Sequence, residues 1–367
     1  MATVDLQLNR HCFPGADLPP IRRPTVTRAT YRGYLLLVRL ERKRSKEGRA
    51  KLMSQLHLPV SLERTIELLA PALENREHPI VVDGTLGLAG HSLALLERFP
   101  HLTIIGIDRD SEALKLAEAK LAAFPGRVKV YHSTFDQLRE ILGNFGTQYV
   151  DGILLDLGVS SMQLDSDDRG FTYARDAALD MRMDRSSGIT AAEILATYSE
   201  SDLAKILREY GEERFAKKIA HALVQERATQ PITTSQRLAE LVKSVIPAPA
   251  RRLGGNPAKR TFQALRIEVN GELSILERAL PIALERLAVG GRMVVLSFQS
   301  LEDRLVKEAF ATATAKKSPQ GLPFDLPGTE SKFALLFNGS EKASEQEITV
   351  NPRAKSVRIR AIARVAA

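Results

Sequence analysis

Ile80-Val81-Val82-Asp83-Gly84-Thr85-Leu86-Gly87-Leu88-Ala89-Gly90-His91-Ser92 is the stretch on which the fold turns. A β-branched apolar run ends at an acid. Glycines follow at 84, 87 and 90, and an apolar pattern resumes at Leu93, Leu95 and Leu96. That is the outline of a strand, a Gly-rich turn and a helix start, the ligand-cradling corner of a doubly wound sheet. Glycine suits such a turn for two reasons. A side chain would hold a ligand away from backbone N–H groups, and some positions need φ > 0. One spaced-glycine match is weak, because a tight βα turn that binds nothing looks the same.

The neighbouring segments strengthen it. Thr103–Asp108 is a second buried strand ending in an acid, 25 residues after Asp83. Ser111–Phe124 has helical spacing (Ala113, Leu114, Ala117, Leu121), Val128–His132 is a third strand, a helix follows over 135–143, and Val150–Asp156 is a fourth strand. Upstream, Leu62, Ile66, Leu69 and Leu73 mark a helix with Ser61 as its expected N-cap. Strands alternating with helices predict a Rossmann-like, doubly wound α/β sheet. An acid closing the second strand suits a ribose, whose two hydroxyls can donate to one carboxylate. At this point NAD and S-adenosylmethionine both remain open.

After Asp156 the alternation stops. Residues 157–165 read as loop. Arg169-Gly-Phe171 and Leu179–Asp184 interleave charges with apolar residues, a pattern expected to form internal ion pairs. Helices without strands follow over 191–198, 201–209, 212–228 and 235–246. The sheet resumes with a helix over 259–288, which Pro281 should kink or divide, and a strand at Gly291–Phe298. The Pro/Gly/Lys/Glu-rich tail 315–347 is expected to be mobile, and 357–365 to form an edge strand with one buried face. The resulting division is a basic, unfolded extension (1–52), a first sheet segment (53–165), an all-helical inserted domain (166–257) and a second sheet segment (258–367).

The formal charge of +8 sits in residues 1–52, which hold twelve basic and four acidic residues; the other 40 basic and 40 acidic residues balance. The extension is read as an electrostatic arm for RNA, or as residues that precede a natural start at Met53. One cysteine, Cys12, excludes an intrachain disulfide and a cysteine-based zinc site. No metal is expected. No apolar run reaches the roughly 18 residues of a membrane span, and a cytoplasmic protein is expected.

Seven motifs occur in order between His57 and Arg364. They are Asp83-Gly-Thr-Leu-Gly with Gly90-His91-Ser92; Ile107-Asp-Arg-Asp110; Asp151–Ser161 with Gln163-Leu-Asp165; Leu179–Asp184; Tyr210–Ala216; Arg260–Arg266; and Ser300–Arg304. Together they resemble the bacterial 16S ribosomal RNA (cytosine-N4)-methyltransferase family. The resemblance implies S-adenosylmethionine as donor and a cytidine of 16S rRNA near the decoding centre of the small ribosomal subunit as acceptor. It implies cofactor contacts at Ala89, Gly90, His91, Asp108, Phe135, Asp156 and Gln163, beside Asp83 and Gly84 of the turn itself. Two residues depart from the family pattern. Ala89 stands where glycine is usual, a change that fits if φ is negative there. Gln299 stands where histidine is usual, and glutamine hydrogen-bonds but does not relay a proton at neutral pH.

Methylating cytosine N4 requires the amine to lie in line with the S–CH₃ bond and to meet hydrogen-bond acceptors as charge develops. Asp156, at the end of the fourth strand, is the candidate catalytic carboxylate. The base must leave its stack while backbone contacts hold the RNA. Arg251, Arg252, Lys259, Arg260 and Arg266 are the candidates for that, and a second basic cluster spans Arg353–Arg364. The competing readings are a non-catalytic RNA-binding assembly factor and an NAD-dependent oxidoreductase. The sequence leaves the oligomeric state open, a homodimer included.

Overall fold

The computed structural model describes residues 58–166, 168–173, 176–251, 256–315 and 329–367. The basic extension 1–52, Met53, Arg252 and the side chain of Arg251 lie outside the described residues. The β-branched run of the opening motif forms β1 (Ile80–Asp83), whose last three residues are buried. It pairs in parallel with β2 (Thr103–Asp108) on one side and β4 (Val150–Asp156) on the other. With β3 (Val128–His132), β5 (Leu287–Ser297), β6 (Phe333–Leu335) and β7 (Arg358–Arg364) they make a seven-stranded sheet of order β3-β2-β1-β4-β5-β7-β6. The order reverses between β1 and β4. The crevice at the carboxyl ends of those two strands is therefore where a doubly wound sheet takes its ligand.

Both faces of the sheet are covered, which is why its strands read as continuous apolar runs rather than alternating ones. One core joins Val81, Ile104, Leu154 and Val294 to α1 (Leu62–Leu73) and α2 (Gly90–Arg98). The other joins Val82, Ile105, Leu155 and Val295 to Leu142, Leu280 and Phe310 on the far face. Here α3 is Ser111–Leu121, α4 is Leu138–Phe145 and α5 is Ser161–Asp165; a 3₁₀ turn, Phe135–Gln137, precedes α4. A third core belongs to the helices after β4: α6 (Ala191–Thr197), α7 (Glu200–Glu209), α8 (Ala216–Arg227) and α9 (Ser235–Val245), then α10 (Ala248–Arg251) and α11 (Lys259–Asn270). Leu195, Leu207, Ile219, Leu238 and Phe262 meet there. The helix starts carry their own signals: Thr190 and Glu193 form a capping box, and Ser199 accepts from Asp202 N–H. No helix among the described residues is long and apolar enough to cross a membrane.

Four expectations need correction. The helix over 259–288 divides at Gly271, not Pro281. Gly271 has φ 58, ends α11 and starts α12 (Glu272–Arg286), while Pro281 stays within α12; a left-handed residue ends a helix more decisively than one missing N–H. The strand near the C-terminus is not an edge. β7 lies antiparallel between β5 and β6. Its arginines misled the pattern because they reach the rim, Arg360 to Asp303 and Arg364 to the carbonyls of Glu285 and Leu287. Within the tail, 316–328 lies outside the described residues, but 329–350 is structured, holding β6 and α14 (Glu345–Val350) after α13 (Ser300–Thr314). Finally, Ser61 stands before α1 but caps nothing with its side chain; φ is 53, and Glu347 Oε1 accepts from its N–H at 2.5 Å.

Candidate active site

The ends of β1, β2, β4 and β5 bring the expected acids to one edge. Asp83 is 2% exposed. Ser92 Oγ donates to its Oδ2 at 2.6 Å and Thr85 N–H to its Oδ1 at 3.3 Å, while burial pushes its carboxyl up to about 6. Thr85 Oγ1 accepts from Asp156 N–H at 2.6 Å, which ties the turn to the end of β4. Asp108 Oδ2 accepts Gly87 N–H at 2.7 Å and its Oδ1 accepts Asp110 N–H at 2.8 Å. It braces the glycine turn and keeps lone pairs to spare for a ribose. Burial raises its pKa against those two N–H groups.

Two of the glycines are needed for close packing and the third for its backbone angle. A Cβ at Gly84 would lie 2.5 Å from Leu155 Cδ2 and 3.1 Å from Phe135 Cβ, and one at Gly90 would lie 2.3 Å from Pro59 Cγ. Gly87 has φ +50. Ala89 corrects the relaxed fit expected of it: its φ is 57 and ψ 33, left-handed, and it is fully buried. An L-residue there costs about 1–2 kcal/mol.

His91 is 6% exposed, with Nε2 3.0 Å from the Val60 carbonyl. A carbonyl only accepts, so Nε2 carries the hydrogen and Nδ1 the lone pair. Burial pushes the ring down to about 4, so it is neutral at pH 7. Its Nδ1 lies 3.7 Å from Asp156 Oδ2. Asp156 thus has no cation beside it among the described residues, and its Oδ1 is buried without a hydrogen-bond partner. Burial, then the charges of Asp83 and Glu302, push its carboxyl up to about 8; the 26% of the side chain still exposed lets water temper that push.

Phe135 opens the 3₁₀ turn. Beside it and Asp108, Arg109, Ser133, Thr134, Arg182, Asp184 and Asn270 line a cavity of about 330 Å³. Gln163 is 4% exposed and turned inward: Oε1 accepts Ser160 N–H at 3.0 Å and Nε2 donates to Asp110 Oδ2 at 2.8 Å. Arg169 joins the same Asp110 oxygen at 2.7 Å, Glu112 at 3.1 Å and the Met183 carbonyl at 2.9 Å. The interleaved segment does form internal ion pairs, Arg182 with Asp180 among them.

The basic candidates separate. Lys259 and Arg260 are exposed, Arg260 donating to the Glu212 carbonyl. Arg266 is not a free cation: its guanidinium makes two bonds to Glu272, at 2.9 and 3.0 Å, and is mostly buried. In the second cluster, Arg353 pairs with Asp165 and Arg360 with Asp303.

Sequence reasoning assigned no role to Glu302. It is 3% exposed and accepts from Phe298 N–H (2.9 Å), Gln299 N–H (3.3 Å) and Gln299 Nε2 (3.0 Å). Its place three residues after Gln299, at a helix start, was the available signal.

A cationic sulfonium fits a crevice whose acids, Asp83 and Asp156, lack Lys or Arg partners among the described residues. The MraW methylase family matches residues 54–365 of the chain. The ribosomal RNA small subunit methyltransferase H of Nocardioides sp. is 58% identical over 308 residues, 84% of this chain and 96% of that one. Its counterpart in Salinispora arenicola is 57% identical over 309 residues (84% and 83%), and that of Mycolicibacterium smegmatis 53% over 313 (84% of each).

Proposed function

The chain belongs to the MraW methylase family, and from that premise we infer that it methylates the N4 amine of a cytidine in the 16S rRNA of the small ribosomal subunit, with S-adenosylmethionine as donor. The carrying observation is the convergence of the glycine turn, Asp108 and Asp156 at the switch point of the sheet. When bound, the donor supplies an electrophilic methyl on a sulfonium. Asp108 accepts from the ribose hydroxyls with the lone pairs its two backbone bonds leave free. The turn Asp83–Gly84 and the backbone of Ala89–His91 form the methionine-side wall, and neutral His91 shapes it without adding a repelling charge. Phe135 and the adjoining cavity receive the base. Gln163 acts at one remove, by holding Asp110 and the loop after β4.

Asp156 carries the amine. Its unpartnered oxygen accepts an N–H, and the sulfonium's charge favours the ionised carboxylate that does so best. The helical segment 166–257 acts as an inserted domain that, with Lys259 and Arg260, holds the RNA backbone while the cytosine leaves its stack.

No observation favours the oxidoreductase or the inert binder. Calorimetry should show saturable binding of S-adenosylhomocysteine and none of NAD. Labelled methyl should pass to small subunits from a strain lacking the modification, and Asp156→Ala should lower that rate by about 10²-fold or more, as for loss of one transition-state contact. Cofactor binding without transfer by the wild type would instead favour the inert binder.

A further inference from the structure

Gln299 occupies a position from which a proton relay is chemically excluded, yet the structure gives it a defined pose. Its Nε2 donates to Glu302 Oε1 at 3.0 Å. Glu302 is itself fixed, because its other oxygen accepts from the N–H groups of Phe298 and Gln299. An acceptor on Glu302 requires the NH₂ end of the amide to face it, so the orientation of Gln299 is set and Oε1 points elsewhere. Oε1 is buried and, although Gln299 and Glu302 stand in a capping-box arrangement at the start of α13, it makes no hydrogen bond.

Asp156 Oδ1 is in the same condition. Asp156 ends β4 opposite Leu296 of the neighbouring parallel strand, and Gln299 follows Leu296 by three residues, just past the end of β5. Glu302, which holds Gln299, is also within electrostatic reach of Asp156. Buried acceptors without donors are rare in folded proteins and call for an explanation, a catalytic role being one of them.

Cytosine N4 brings two N–H groups in the plane of its ring. Resting on the methyltransferase reading above, we propose that Asp156 Oδ1 and Gln299 Oε1 receive one each, so that the pair orients the amine and sets its specificity. The two oxygens then have different tasks. As the N4–CH₃ bond forms and the S–CH₃ bond breaks, the sulfur keeps the bonding electron pair and the nitrogen must lose one proton. That proton passes to the Asp156 carboxylate. The hydrogen that stays on the product is the one held by Gln299, which accepts a hydrogen bond and takes no proton. Histidine is therefore unnecessary here: the position needs a lone pair, not a base.

The test compares wild type, Gln299→Met and Gln299→His in methyl transfer to unmodified small subunits, with S-adenosylhomocysteine binding measured for each. Gln299→Met keeps the length and removes the acceptor; kcat should fall about ten-fold, as for one lost hydrogen bond to the transition state, with S-adenosylhomocysteine affinity within two-fold. Gln299→His should be active when the imidazole is neutral and lose activity below about pH 6.5, a loss that adds to the acid limb that protonation of Asp156 gives both proteins. Gln299→Met with unchanged kcat overturns the proposal. So does a fall in cofactor affinity that matches the fall in kcat, since that marks a residue that only supports the strand end. A wild type that binds cofactor but transfers no methyl removes the function reading and this proposal together, whereas an active wild type with an equally active Gln299→Met removes this proposal alone.

Discussion

Arg169, buried, and Asp156, half-buried, are both ionisable groups near the carboxyl edge of the sheet, and the fold treats them oppositely. Arg169 is 2% exposed and meets Asp110, Glu112 and two backbone carbonyls. Asp156 has a neutral histidine at 3.7 Å, two other acids within electrostatic reach and one oxygen with no partner. A satisfied buried ion fixes a structure, here the loop after β4 and the helical segment against the sheet. An unsatisfied one stores a preference for a ligand that supplies what is missing.

The largest expected effect tests the satisfied side. Arg169→Met leaves Asp110 buried without its cation and should cost about 3–5 kcal/mol, read as a lower urea midpoint at unchanged slope. A loss below about 1 kcal/mol would erase the contrast.

Next comes the unsatisfied side, read through pH. The folded Asp156 carboxyl titrates near 8, above its ordinary value, so between those limits the folded state holds a proton the unfolded state has released. Its contribution to stability is present at low pH and is lost as pH rises towards 8. Asp156→Asn should therefore stabilise the protein more at pH 8 than at pH 5. His91 has the opposite sign. Its folded pKa, about 4, lies below the ordinary 6.5, so its contribution is present above 6.5 and lost as pH falls towards 4. His91→Gln should flatten that acid-side loss. Thermal melts across pH 4–9 check both, and parallel curves for wild type and Asp156→Asn would contradict the assignment.

The smallest effect sharpens the turn between the two. Ala89→Gly removes the left-handed strain of a β-carbon but adds chain entropy to the unfolded state, about 0.5–1 kcal/mol. The net change in stability should stay within about 1 kcal/mol. A larger loss would show that the buried methyl matters more than its backbone angle.

Much of this site was legible in the chain. Runs such as Val81-Val82-Asp83 and Ile104–Asp108 have to be buried strands closing at acids, and the acids did arrive at one edge. The turn glycines were legible as glycines, and Gly87 in its positive φ as well, but the packing that requires Gly84 and Gly90 was not, since Pro59 and Leu155 come from distant segments. Arg266 looked free because its partner, Glu272, lies across the break at Gly271, and periodicity does not register a left-handed hinge. The tail was misread because β6 and β7 find their partners in β5 and in each other, not in their own sequence.

The sequence alone determined the alternation of strands and helices, the ligand-bearing corner, the helical segment after Asp156 and the family, because local periodicity and motif order are properties of the chain itself. Tertiary structure decided which charges are paired. Arg169 found Asp110 across 59 residues, and Gln299 was oriented by Glu302, while Asp156 was left with an open oxygen. Burial and partnership depend on what packs alongside, and it is the cost of an unpaired charge away from water that separates a structural residue from one that waits for its substrate.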